Sequence, residues 1–508
     1  MRVLHNYLCF QTDRADLIST LIPETRQANG WAAAPFTLEI ATVLRSIGIE
    51  APSPIRHDYK WRGRYTPFAH QVATAEFLTL NRRSHCLSGL GSGKSMAALW
   101  AADYLKQLGL IHRVLIISPL STLDVVWGRE IFQNFPGRSV AVLHGSSDKR
   151  KRLLAEPHDF YVVNFDGVGI IARELQKRDD INLIVIDESA TLRSAVTRRW
   201  KVVKSIISPD KWVWGLTGSP TPQAPTDAYG ICKLITPENL NGLSFTRFKQ
   251  EVMLQVGPFK WVPKKNAEQS VARLLTPSIR FALRDCIDLP ETITQYRHGE
   301  MTSEQAHHYK KLLKDCVTEV RGTQITAVNA AVLAGRLLQV AAGCTYGENK
   351  QIVKMDITHR MAAVEEIIEE CDQKVILFVP FTGALHAVHA ELKHRGYSCG
   401  IVEGDTSKSE RLRMFDALQN GEMKVLVANP SAMAHGISLT AASTTIYFSP
   451  PTSNDMYNQS AARTVRPGQT NVTNIVNVYS TKEEFAVFEG LKNKTKFMDT
   501  VLNILKEQ

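Results

Sequence analysis

Two trains of short apolar runs punctuate the chain of 508 residues, each broken by stretches with helical spacing. The first train is "RVLIISP", "DFYVVNFD", "INLIVIDES" and "KWVWGLTGS". Runs this short, rich in Val and Ile and separated by crossover-length segments, predict a parallel sheet covered on both faces. A second train follows after about residue 350: "KVILFVPF", "YSCGIVEGD", "MKVLVANP", "TTIYFSPP" and "TNIVNVYS". Together they predict an α/β protein that uses one architecture twice, without a strict internal repeat. Between the trains, "TSEQAHHYKKLLKDCVTEV" and "AAVLAGRLLQVAAG" have helical spacing and predict a connector. Ahead of the first train, the Pro-rich "APSPIRHDYKW" reads as a linker behind a small module. The expected domains are 1–60, an N-terminal accessory module; 61–240, a first sheet lobe; 241–355, a helical connector; and 356–508, a second sheet lobe.

Composition changes this picture little. With 44% hydrophobic and 22% charged residues the chain is an ordinary globular one of two or three domains. A formal charge of +10 favours polyanionic partners without naming one. The eight cysteines are scattered with no CxxC pair, which argues against a zinc site or a disulfide framework. The start, "MRVLHNYLCFQTDRAD", lacks a secretory apolar region, and no apolar run is long enough to span a membrane. The expectation is a cytoplasmic protein with no membrane partner.

Chemistry enters with "LSGLGSGKSMAALW", where Ser88, Gly89, Gly91, Ser92, Gly93, Lys94 and Ser95 have the spacing of a phosphate-binding loop. Its glycines permit tight turns that aim backbone N–H groups at phosphate oxygens, at the start of a helix. Lys94 would bridge the outer phosphates and the Ser95 hydroxyl would ligate Mg²⁺. In "LIVIDESA" an apolar strand delivers Asp187 and Glu188 to its carboxyl end, where α/β folds place ligands. Asp187 can hold Mg²⁺ through water, and Glu188 can orient or deprotonate the attacking water. That pairing turns nucleotide binding into hydrolysis. "GLTGSPTP" sets Thr217, Gly218 and Ser219 after a strand, small groups suited to sensing a phosphate. In "YNQSAARTVRPGQ", Gln459, Arg463 and Arg466 stand four and three apart, so on a helix they share one face. Guanidinium groups aimed at a γ-phosphate from a second domain would serve as arginine fingers.

On these motifs the chain resembles superfamily-two helicases, closest to the Swi/Snf-type (DEAD/DEAH-like) DNA translocases of small phage or bacterial type. The resemblance covers nearly all of residues 61–480, in the family's motif order. "RYTPFAHQ" is similar to the adenine-reading segment, which implies that Gln71 contacts the base while Tyr65 or Phe68 stacks on it. "ISPLSTLDVVW", "HGSSDKR", "LTGSP", "VEGDTSKSERLRMFDAL", "SAMAHGISLTAA" and "YFSPPTSNDMYNQSAARTVRPGQ" resemble the family's further motifs, and "LTGSP" its coupling motif. Ala190 stands where many relatives carry a histidine that couples the lobes.

The resemblance implies two RecA-like lobes, ATP and Mg²⁺ as ligands, and double-stranded or branched DNA as partner of a monomer in a bacterial or phage-infected cell. Weak candidate grips on DNA phosphates are Ser118, Ser121 and Thr122 in the first lobe and Thr382, Thr406 and Ser407 in the second. The run Lys149, Arg150, Lys151 and Arg152 is either a further phosphate contact or a plain charged helix start. The leading expectation is a motor that hydrolyses ATP to move along duplex DNA, remodelling branched DNA or displacing proteins. A strand-separating DNA or RNA helicase is the alternative, and a non-enzymatic ATP-gated platform stands behind both.

Overall fold

Each apolar run of the first train forms a strand: Arg113–Ser118, Phe160–Asn164, Ile181–Asp187 and Trp212–Leu216. In this computed structural model they join Arg83–Cys86, Val140–Val142 and Ser278–Ile279 in one seven-stranded sheet. The order is Ser278–Ile279, Arg83–Cys86, Trp212–Leu216, Ile181–Asp187, Arg113–Ser118, Phe160–Asn164, Val140–Val142, and every pairing is parallel. Period-two alternation buries both faces. Leu183 and Val185 enter one core with Trp100, Trp127 and Trp214, whereas Ile184 and Ile186 enter the other with Tyr161 and Ile231.

The described residues are 1–257, 261–282, 286, 289–322, 335–346, 351–433 and 438–492, and they fall into two compact units, Met1–Cys286 and Ile287–Gln508. The second unit repeats the architecture with Lys374–Phe378, Cys399–Val402, Val425–Ala428, Ala442–Tyr447 and Thr473–Tyr479. With Thr292–His298 these make a six-stranded parallel sheet. No helix among the described residues is long and apolar enough to cross a membrane.

The stretch 241–355, expected as a helical connector, supplies an edge strand to each sheet. Ser278–Ile279 pairs beside Arg83–Cys86, and Thr292–His298 pairs along Thr473–Tyr479. The second of these, "TITQYRH", is largely exposed. An edge strand need not be apolar on both faces, so an apolar-run criterion passes over it.

Residues 1–35 form a four-stranded antiparallel sheet in the order Arg2–Leu4, Tyr7–Gln11, Trp31–Pro35, Arg26–Ala28. Its core gathers Leu8, Phe10, Ile18, Ala41 and Leu44. The expected linker after it is packed instead. Ala51, Ser53, Ile55 and Tyr59 are buried, and the Tyr59 hydroxyl donates to the buried Asp103 at 2.8 Å. Proline stiffens this segment without freeing it from the core.

In the second unit one buried ion pair ties strand ends together. Arg360 and Glu484 are both fully buried and meet through two parallel bonds of 2.9 and 3.0 Å. The same guanidinium donates to the carbonyls of Ala341 at 2.9 Å and Val478 at 2.8 Å, and to that of Phe448. Breaking a buried pair by removing one partner leaves an uncompensated charge. Arg360→Ala should therefore destabilise the second unit by about 3–5 kcal/mol, read as a lowered urea midpoint. The double replacement Arg360→Met with Glu484→Leu should cost clearly less.

Candidate active site

Strand register builds the site. Leu216 lies opposite Cys86 on one side and Asp187 on the other, so those residues sit two strand spacings apart at one sheet edge. At about 4.8 Å per spacing that is roughly 10 Å, the scale of a polyphosphate and its metal. From Cys86 the chain turns through 87–93 into the helix Lys94–Gln107. Gly91 and Gly93 take φ of 78° and 75°, left-handed conformations that side chains resist. A Cβ on Gly93 would also lie 1.9 Å from Gln71 Nε2.

The loop is held from behind. His70 Nε2 and Gln71 Nε2 both donate to the Ser92 carbonyl, at 2.8 and 3.3 Å. The Gly89 N–H donates to Phe281 O at 2.9 Å, and the Phe281 N–H donates to Ser88 Oγ at 3.1 Å. Lys94 Nζ donates to the Gly89 carbonyl at 2.9 Å. A phosphate oxygen is a stronger acceptor for that ammonium than a carbonyl. Thr217 N–H bonds Cys86 O at 3.0 Å, and a Cβ on Gly218 would stand 3.5 Å from Leu90 N, so the coupling segment abuts the phosphate loop. Ser219 N–H donates to Thr217 Oγ1 at 3.3 Å, and Ser95 is half-buried in the first turn of the helix.

Asp187 is buried, and its two oxygens have different partners. Oδ2 accepts the Trp127 indole N–H at 2.9 Å, and Oδ1 accepts the Glu188 N–H at 3.1 Å. Burial first, and the Glu188 carboxylate second, push the Asp187 carboxyl up to about 6, against the pull of Trp127 and Lys94. A buried carboxylate that is reluctant to ionise gains from a cation beside it. Glu188 has φ of 50°, a left-handed backbone costing a non-glycine residue about 1–3 kcal/mol. Strain of that kind marks functional turns.

The other expected residues divide. Tyr65 and Phe68 are exposed, whereas Gln71 is buried. Ser118 is fully buried, so its hydroxyl does not face a phosphate at the surface, contrary to expectation; it ends a central strand covered on both sides. Thr122 is buried too and gives its hydroxyl to Pro119 O at 2.9 Å, while Ser121 is exposed. Arg150 leaves the basic run for the interior, bonding Gly145 O at 2.9 Å. Lys151 pairs with Glu174 at 3.2 Å.

In the second unit Thr382 is exposed at the first position of the helix Thr382–His394. Ser407 caps the helix Lys408–Gln419 by accepting the Glu410 N–H, and Thr406 accepts the Glu403 N–H at 2.9 Å. Residues 434–437 of "SAMAHGISLTAA" lie outside the described residues. The expectation of one helical face for Gln459, Arg463 and Arg466 needs correction: the helix Asn454–Ala461 ends before both arginines. Arg463 and Thr464 N–H groups bond three residues back, the Thr464 hydroxyl donates to the Ala461 carbonyl at 3.2 Å, and Pro467 follows. Gln459 bonds Asp455 at 3.1 Å, and buried Arg463 bonds Gln459 O at 2.9 Å. Half-buried Arg466 bonds Ala462 O at 2.7 Å and Ser438 Oγ at 3.2 Å, and desolvation draws its pKa down to about 10.

Three contacts had no signal in motif reading: His70 and Phe281 behind the loop, and Trp127 on Asp187. The indole stands in the apolar "DVVW", where a buried Trp must find an acceptor, but spacing does not say which.

Comparison with known proteins gives this constellation a family. The model of the SNF2-related domain matches residues 55–346, and that of the helicase conserved C-terminal domain matches residues 359–468. The chain belongs to the SNF2-related family, with a helicase conserved C-terminal domain. Protein p41 of Acyrthosiphon pisum secondary endosymbiont phage 1 is 24% identical over 74% of this chain and 83% of its own length. The ATP-dependent DNA helicase DDM1 of Arabidopsis thaliana is 21% identical over 81% of this chain but 58% of its own length. A solved SWI2/SNF2 ATPase core of Sulfolobus solfataricus in complex with dsDNA is 22% identical over 87% of this chain and 94% of that one, with a TM-score of 0.43.

Two measurements check the geometry. Gly93→Ala should weaken ATP binding at least about tenfold, because the left-handed φ strains any Cβ and Gln71 would have to leave its place to admit one. Metal competes with a proton for Asp187, whose pKa is raised, so the metal-dependent part of nucleotide affinity should be full above pH 7. It should fall as pH drops through about 6, an outcome seen by titrating a fluorescent ATP analogue across that range.

Proposed function

We propose that this SNF2-related protein is a motor that hydrolyses ATP to translocate on double-stranded DNA, remodelling branched DNA or displacing bound proteins. One observation carries the reading: Lys94 and the Asp187–Glu188 pair leave one edge of one parallel sheet, next to the left-handed glycines Gly91 and Gly93. In this reading the 89–93 amides and Lys94 cradle the phosphates, Gln71 reads the base, and Glu188 orients and deprotonates the attacking water.

Magnesium fits the residues present. Among the described residues no cluster of three or more His, Cys, Asp or Glu could hold a metal unaided. Mg²⁺ normally takes one or two protein ligands and completes its shell with phosphate oxygens and water. Ser95 and Asp187 would be those ligands, and the bound ion would neutralise charge on the phosphate oxygens. The transition state still needs cationic charge, for which Arg466 and Arg463 are the candidates. Arg466 is the stronger candidate, since its guanidinium is desolvated and only lightly hydrogen-bonded. The phosphate grips retained in this reading are Ser121, Thr382 and Ser407, exposed at loop or helix starts that follow sheet strands. Thr217–Ser219, packed on the loop, would sense the γ-phosphate and pass its loss to the nucleic-acid side.

Glu188→Gln should still bind ATP and duplex DNA within about threefold of wild type while turnover falls by about 100-fold or more. A rate within a few-fold of wild type would remove Glu188 from its role. Arg466→Ala should lose far more turnover than nucleotide affinity. Equal losses would make that arginine a structural residue.

A further inference from the structure

We propose that Trp127 is a positioning residue for the metal side of the nucleotide site: its indole N–H holds Oδ2 of Asp187 so that the carboxylate presents one fixed face to the ion. This rests on the reading of Asp187 as a magnesium ligand.

The contact stands apart from the chain's other buried indoles. Trp100, Trp200 and Trp214 donate to backbone carbonyls of Arg62, Gly230 and Asn81, at 2.8, 2.8 and 3.0 Å. A buried indole can satisfy itself on any such carbonyl. Trp127, fully buried, donates instead to a buried carboxylate at 2.9 Å. A charged acceptor makes this the stronger kind of bond.

The local backbone is built to deliver it. Trp127 lies on a wide π-helical turn, Leu123–Gly128, a rare geometry concentrated at functional sites. Gly128 closes the turn where a Cβ would stand 3.0 Å from Val142, so the turn lies tight against the sheet. The indole ring is gripped in the same core as Leu183 and Val185, the strand that carries Asp187. Donor and acceptor are therefore both immobile.

The consequence is orientational. With Trp127 on Oδ2 and the Glu188 N–H on Oδ1, rotation of the carboxylate is blocked and each oxygen keeps a lone pair for the metal or its water. Outer partners of metal ligands act in this way, and their loss commonly costs tenfold or more in metal affinity. Lys94 and Glu188 are the charged groups that act electrostatically on Asp187, and Trp127 is the hydrogen-bond donor on Oδ2.

The test uses the full chain with Trp127→Phe, and with a benzothiophene analogue of tryptophan at 127 that keeps the ring's shape but has no N–H. Binding of a fluorescent ATP analogue is measured with and without Mg²⁺, and hydrolysis is followed across a Mg²⁺ series. Metal-free affinity should stay within about twofold, while the gain in affinity on adding Mg²⁺ shrinks about tenfold. The Mg²⁺ midpoint for hydrolysis should rise by a similar factor, and adding Asp187→Asn should cause no further loss. An unchanged Mg²⁺ gain in the shape-preserving variant overturns the proposal. So does an equal loss of metal-free affinity, which would mean packing alone. If Asp187→Asn by itself leaves the Mg²⁺ gain intact, the reading of Asp187 fails first, whatever Trp127 does.

Discussion

The site depends on the register of three neighbouring parallel strands. Because Leu216 is opposite both Cys86 and Asp187, the loops that follow all three strands leave the sheet at one level. Parallel pairing makes this possible, since strands running the same way end on the same edge. Slipping the Ile181–Asp187 strand by one residue would turn Asp187 to the opposite face. The alternation of Ile184 and Ile186 with Leu183 and Val185 between two filled cores forbids that slip. Hydrophobic packing thereby fixes the positions of the polar groups at the sheet's carboxyl edge.

Those polar groups are held at some cost. Asp187 is buried beside a second carboxylate, and Glu188 occupies a strained backbone region. In the proposed reading both penalties fall at a place that a cation and a polyanion would occupy. The bonds of Lys94 to the Gly89 carbonyl and of Gln71 to the Ser92 carbonyl hold these side chains close to where the proposed nucleotide would need them. Pre-placement of this kind lowers the reorganisation that binding and hydrolysis demand.

The central strands were legible in the sequence because strands covered on both faces must be apolar along their length, and "INLIVID" and "KVILF" are. The phosphate loop and the Asp187–Glu188 pair were legible for a different reason: their chemistry is local to a few adjacent residues. What escaped depends on distant partners. The edge strand Thr292–His298 looks polar because little covers it. Ser118 resembled a surface hydroxyl until the sheet closed over it. The turn carrying Arg463 and Arg466 reads as helix by spacing, but the Thr464 hydroxyl and Pro467 end the helix early. The Trp127 contact spans 60 residues and needed the fold to appear.

The most direct test of the motor reading is displacement of a third strand from a DNA triplex, because it reports movement along duplex DNA without requiring strand separation. The protein should release the third strand only with hydrolysable ATP and Mg²⁺, leaving the duplex paired, and the Lys94→Ala variant should not. Failure to displace it under conditions where ATP turnover is brisk, or turnover that responds to RNA alone, would contradict the account.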